Sequence, residues 1–125
     1  MKYLLDVNAL IASIWKDHAK HAVADNWIKG KALITCPLSE LGFLRVSTQP
    51  KAIGATMADA RKLLEDFLTK HTVEFVAADL PALDSKPAKS EEVTDHYLSE
   101  LAARKHCKLA TLDARITHPA VEVMT

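Results

Sequence analysis

Four acidic residues stand where an α/β chain could aim them at one another. Asp6 ends the apolar run Tyr3-Leu4-Leu5, and Asp113 ends a second run spanning residues 108–112. Glu40 falls one turn into a helix opened by Pro37, and Asp95 lies near the start of the well-packed part of a later helix. In open α/β sheets, ligands bind beyond the carboxyl ends of the strands, so all four positions can face one crevice. Carboxylates gathered there repel one another, and at least one holds its proton more tightly unless a cation neutralises the group. Donors that are all oxygen favour Mg²⁺ or Mn²⁺ over zinc. Such an ion can orient a phosphodiester and stabilise its leaving oxygen, which is hydrolytic chemistry. It also reverses the local field, so that an acidic crevice can accept a polyanion.

Each acid has an ordinary explanation too. Asp6 or Asn8 can cap the helix that follows, Glu40 can be an inert exposed side chain, and Asp95 is favoured by the helix dipole. What separates the two readings is whether the fold brings these positions together.

The spacing of apolar residues predicts the elements that must do so. Strands are expected at residues 3–5, 32–36, 72–77 and 108–112, with a final edge strand at 121–124. Leu10, Ile11, Ile14 and Trp15 recur at helical spacing, and a second helix is expected over residues 18–29 with Gly30 as its stop. In the helix from Pro37, residues Leu38, Leu41, Leu44 and Val46 are expected to face the core while Glu40 and Arg45 project elsewhere. Thr56 and Asp59 read as a capping pair for a helix running to about Lys70. Residues 47–56 and 80–89 read as loops, the second with a helical turn around Pro81, and the last helix runs from about 91 to 105. Strands alternating with helices imply a mostly parallel sheet with helices on both faces.

Composition narrows the class further. At 125 residues, 49% of them hydrophobic, the chain has the size and apolar content of one domain, residues 1–125. Sixteen basic residues balance sixteen acidic ones, so there is no bulk positive charge to draw in nucleic acid. A polyanion must be met by a local patch or a bound cation. No apolar span approaches the roughly 20 residues of a membrane helix, and no secretory signal is evident, so a cytoplasmic protein is expected. Cys36 and Cys107 are far apart and suggest neither a zinc knuckle nor a redox pair; both are expected to be buried apolar residues. His18 and His21, three apart, read as a surface pair.

The four acids, in order, belong to segments that resemble the PIN-domain nucleases, and the whole chain is similar to the VapC-type toxins of bacterial toxin-antitoxin pairs. The segments are Leu4-Leu5-Asp6-Val7-Asn8, Pro37-Leu38-Ser39-Glu40-Leu41-Gly42-Phe43-Leu44-Arg45-Val46, Val93-Thr94-Asp95-His96-Tyr97-Leu98 and Leu109-Ala110-Thr111-Leu112-Asp113. The resemblance implies a PIN-like fold and a Mg²⁺- or Mn²⁺-dependent endoribonuclease. It assigns Asp6, Glu40, Asp95 and Asp113 as metal-binding catalytic acids, the last acting directly or through water. Asn8 and Thr111 would orient a carboxylate or a water, against an ordinary reading as a helix cap and a strand former. An RNA substrate, a cognate antitoxin protein and a homodimer are implied as partners. Arg45, Lys51 and Arg115 are candidate phosphate contacts on the general preference of such side chains. Two other readings compete. One is a phosphoacceptor receiver domain with Asp79 as acceptor, although the chain lacks the paired acids and the lysine a receiver needs; the other is a PIN module that only scaffolds.

Overall fold

Tyr3, Leu4 and Leu5 belong to a strand with neighbours on both sides, and the rest of the architecture follows from that placement. The computed structural model describes residues 1–125. Its strands are β1 (Lys2–Leu5), β2 (Ala32–Thr35), β3 (Glu74–Phe75), β4 (Lys108–Thr111) and β5 (Val121–Val123). The helices are α1 (Val7–Ile14), α2 (His21–Trp27), α3 (Pro37–Thr48), α4 (Met57–Lys70) and α5 (Val93–Arg104). The sheet order is β3-β2-β1-β4-β5 and every pairing is parallel. From β1 the chain winds outward through β2 to β3, then returns to add β4 and β5 on the other side. The winding therefore reverses between β1 and β4, and a doubly wound sheet opens its ligand crevice at such a reversal.

Register decides which side chains enter which core. Leu4 lies opposite both Ile34 and Leu109, while Leu5 lies opposite Ala110 and Tyr3 opposite Leu33. Because side chains alternate along a strand, the first set faces one side of the sheet and the second the other. Leu4, Ile34 and Leu109 pack with Leu98 and Leu101 of α5. Leu5, Leu33 and Ala110 pack with α1, α2 and α4 through Leu10, Trp27 and Leu64, and Phe43 of α3 joins them. Each fully buried Leu or Phe contributes roughly 1.5–3 kcal/mol, so these two layers hold the strand ends in place. One glycine controls how two acid-bearing elements meet. A Cβ on Gly42 would collide with the Val7 side chain, so glycine is what lets α3 lie against the start of α1.

The helices around the sheet end where local chemistry dictates. Thr56 caps α4 by accepting from Asp59 N at 3.1 Å, and Pro37 occupies the first turn of α3. Gly30, with φ of +72°, follows α2 in the left-handed region and stops it. A 3₁₀ turn at Ala82–Asp84 follows Pro81.

Three expectations need correction. The strand expected over residues 72–77 shrinks to Glu74–Phe75, because β3 is an edge strand that pairs only with β2. Helix α2 starts at His21; His18 instead sits in a turn, where its Nδ1 accepts from Lys20 N at 3.0 Å. Leu38 and Leu41 do not face the core, and Leu41 is 61% exposed. Cys36 and Cys107 are buried in the α5-side core as free thiols, and no helix is long and apolar enough to cross a membrane.

Candidate active site

Asp6 is the first residue after β1, and its carboxylate has two jobs. Oδ1 accepts from Val7 N at 2.7 Å, capping α1. Oδ2 accepts from Thr111 Oγ1 at 2.8 Å, across the reversal of the sheet. The expected capping role of Asp6 therefore holds for one oxygen, while the other turns to Thr111 at the sheet reversal. Thr111 has a single hydroxyl proton, and the short bond to Asp6 claims it. Its oxygen then accepts from Asn8 Nδ2 and from Asp113 N, both at 3.1 Å. Asn8 Oδ1 in turn accepts from Leu112 N at 3.0 Å. The result is a relay of donors, Asn8 to Thr111 to Asp6, each polarising the next toward the carboxylate.

That relay does not offset the cost of burying Asp6. With 4% of its surface exposed, its pKa is raised to about 6. Burial is the largest cause, and the charges of Asp95 and Asp113 add to it against the lowering hydrogen bonds from Thr111 and Val7. Asp95, in the first turn of α5, is also pushed up, by burial and then by Asp113. Asp113 moves the other way. Arg115 grips it through Nε to Oδ1 at 3.0 Å and Nη2 to Oδ2 at 3.1 Å, and the Arg115 backbone N–H adds a bond at 2.9 Å. This fork holds the Asp113 carboxyl below the usual range. The guanidinium is itself held more basic by Asp113 and Asp95.

The fourth acid stands apart. Glu40 Oε2 accepts from the buried Thr35 Oγ1 at 2.7 Å, and Glu40 lines a shallow groove with Leu41, Leu44, Leu68 and Phe75. Asp6, Asp95 and Asp113 are thus electrostatically coupled, while Glu40 reaches the same edge of the sheet from β2 and α3 with its own anchor. As the side chains stand, no three Asp, Glu, His or Cys groups converge tightly enough to form a ready-made metal cage. The donor chemistry nonetheless suits a hard cation: the acids at this edge are all oxygen donors, and two of them are short of positive charge.

Of the expected phosphate contacts, Arg115 lines the cavity that holds Asp95 and Asp113. Arg45 on α3 and Lys51 in the following turn are exposed and line neither that cavity nor the groove. The cavity, about 350 Å³, also contains Lys89, Ser99, His96 and His118, none of which sequence reading assigned a role. Only His96 carried a signal, as the neighbour of Asp95. His118 reaches the cavity from the loop before β5, a convergence that spacing along the chain does not encode.

A parallel sheet reversing beside a buried aspartate, with further acids around it, defines a class of fold that the comparisons identify. Residues 3–122 match the PIN domain family. Ribonuclease VapC38 of Mycobacterium tuberculosis (strain ATCC 25618 / H37Rv) is 39% identical over 121 residues, covering 90% of this chain and 86% of that protein. Ribonuclease VapC44 of Mycobacterium tuberculosis (strain CDC 1551 / Oshkosh) is 34% identical over 131 residues, covering 97% and 92%. Among solved structures, VapBC2 from Rickettsia felis bound to a DNA fragment from their promoter matches with a TM-score of 0.65 at 15% identity, covering 98% of both chains. The chain belongs to the PIN-domain family, among the VapC proteins. The receiver alternative falls with this assignment. Its fold would order the strands 2-1-3-4-5, whereas here the order is 3-2-1-4-5, and Asp79 is an exposed side chain paired with Lys105 at 2.8 Å.

Proposed function

We propose that this chain is the toxin of a toxin-antitoxin pair, an endoribonuclease that hydrolyses RNA phosphodiester bonds with Mg²⁺ or Mn²⁺, centred on Asp6. The observation that carries the reading is the state of Asp6: buried, braced by Thr111 and Asn8, and loaded with negative charge by Asp95 and Asp113 at the sheet reversal. A carboxylate kept there is costly without a cation, and its bracing holds it ready for one. Asp6, Glu40, Asp95 and Asp113 would hold the ion. When bound, a divalent cation supplies positive charge to the phosphoryl oxygens and acidifies water.

The chain's own residues do the rest. Thr111 and Asn8 fix the Asp6 carboxylate so that its orientation does not depend on substrate. Arg115, held by Asp113 in the free protein, can trade that partner for a phosphate, since carboxylate and phosphate present the same fork of oxygens to a guanidinium. Arg45 and Lys51 remain surface candidates for the outer phosphates. The VapC names of the relatives and the VapBC2 neighbour support an antitoxin partner, which would bury an apolar helix or tail and block the acids with an arginine. A homodimer and a cytoplasmic location complete the reading.

Mapping cleaved RNA 5′ ends after brief expression, with the Asp6→Asn protein as control, tests activity and substrate together. Discrete new ends that vanish in the variant support the reading. The same ends from both proteins would remove Asp6 from the chemistry and the mechanism with it.

A further inference from the structure

The cavity beside Asp95 contains an arrangement that the acid cluster does not use. His96 Nδ1 lies 2.8 Å from Ser85 Oγ, and Ser85 is buried. His118 is pinned at both nitrogens: Nδ1 accepts from Ala120 N at 3.0 Å, and Nε2 lies 2.9 Å from Glu100 Oε1. Because Nδ1 accepts a backbone N–H, the neutral ring carries its proton on Nε2, where Glu100 receives it. Glu100 is correspondingly held below the usual carboxylate range, with the His118 hydrogen bond as the main cause. The two imidazoles meet edge to face with centroids 5.6 Å apart, so His118 serves as a fixed wall for His96. His96 Nε2 differs from the other three nitrogens in making no hydrogen bond within the protein. The single fully buried side-chain polar atom without a partner is Ser13 Oγ, so His96 Nε2 is not sealed off, and the half-buried ring lines the cavity. A ring anchored at one nitrogen and free at the other is set to read a ligand.

The cavity suits one chemical class. Lys89 supplies positive charge, Arg115 adds its own once it leaves Asp113 for a phosphate, Glu91 and Glu92 can accept from exocyclic amino groups, and the volume is about 350 Å³. It shares Asp95 and Asp113 with the acid cluster, so whatever fills it adjoins the reacting phosphate. Single-stranded RNA is recognised by splaying bases out against flat side chains, histidine among them, and by hydrogen bonds to their edges. Resting on the ribonuclease reading, we propose that this cavity seats the nucleotide next to the scissile phosphate and that His96, through Nε2, is a specificity-determining contact to its base.

The test exploits the two ends of the ring. Asparagine at position 96 reproduces an atom near Nδ1 and keeps the Ser85 anchor, but leaves nothing at Nε2; glutamine places an amide near Nε2. Wild-type, His96→Asn, His96→Gln and Ser85→Ala proteins would digest one long in vitro transcript, with cut positions read by 5′-end sequencing. Binding of a labelled short single-stranded RNA of random sequence would be measured in an Asp6→Asn background. His96→Asn is expected to lose base preference at one position flanking the cut and to raise KM about tenfold with little change in kcat, the loss of one good hydrogen bond. His96→Gln should recover much of this, and Ser85→Ala should blur the preference without abolishing it. Wild-type preference and KM in His96→Asn would overturn the proposal, as would equal defects in the Asn and Gln variants, which would mark the ring as packing alone. Should His96→Asn fail to fold, as judged by its melting curve, an unchanged cut profile in Ser85→Ala would overturn it. If the wild type cuts nothing while His96→Asn still weakens RNA binding, the nuclease reading fails and the pocket stands. Equal RNA binding with and without His96→Asn would sink the pocket.

Discussion

The two sides of Asp6 are built differently. Toward β4 and α5, Asp95 and Asp113 press charge onto Asp6 and line a cavity where two imidazoles, Lys89 and Arg115 meet the further acids Glu91 and Glu92. Toward β2 and α3, Glu40 is bonded to Thr35 and opens on a groove whose exposed leucine and phenylalanine, Leu41 and Phe75, stand at 61% and 58% of their free surface. One side is electrostatically strained and internally braced; the other is an open groove where leucines and Phe75 lie beside Arg61, Lys62 and Glu65. The lesson is that acids grouped by sequence pattern need not act alike, because what makes a carboxylate reactive is the field and burial around it.

That asymmetry ranks the expected effects. Asp95→Asn should lower kcat/KM on a defined RNA by about a thousandfold and Glu40→Gln by about tenfold to a hundredfold, or roughly 4 against 1.5–3 kcal/mol of barrier. Equal losses would break the comparison, since Glu40 would then be as integral as Asp95. Gly42→Ala should cost about 1–3 kcal/mol in urea unfolding, because the Val7 side chain at the start of α1 must shift to admit the methyl group. Unchanged stability would mean that glycine does not set how the two acid-bearing elements approach. Arg115→Gln removes the resident counter-ion of Asp113 and should tighten Mn²⁺ binding about threefold by calorimetry at low salt, the guanidinium side of the pair being exposed. Weaker Mn²⁺ binding would show that the guanidinium supports the metal site. Phe75→Ser, in the apolar groove, should leave RNA cleavage unchanged and stability within about 0.5 kcal/mol; lost cleavage would extend the active region across Asp6.

Much of this was legible in the residues. The parallel sheet followed from apolar runs alternating with helical spacing, and Asp6 and Asp113 were readable as strand ends because each stops such a run. Leu41 was misplaced because helical spacing tells which residues share a face and says nothing about whether another element covers it; α4 leaves that face open as a groove. Residues 72–77 looked like a full strand by alternation, but an edge position with one neighbour supports only two paired residues. The division among the acids was hidden for a related reason. Thr35 lies beneath Glu40 and donates to one oxygen of its carboxylate, and no spacing rule reports that bond. The His96 and His118 pair joins residues 22 positions apart through the loop before β5.

The stability of the protein freed of metal is the most direct probe of the central claim, that Asp6 is held charged against its environment to receive a cation. Its folded pKa of about 6 lies above the ordinary 3.8, so between those values the folded chain binds more protons than the unfolded one. The Asp6 contribution is therefore most favourable below pH 3.8, declines as pH rises through about 6, and leaves a penalty on the order of 2–3 kcal/mol above it. Thermal melts at pH 8 in EDTA and in Mn²⁺, for wild type and Asp6→Asn, put this to the test. The account expects Asp6→Asn to melt a few degrees higher than wild type in EDTA and to gain little from Mn²⁺, while the wild type gains several degrees. A variant that melts lower than wild type in EDTA, or that responds to Mn²⁺ as fully as wild type does, would contradict it.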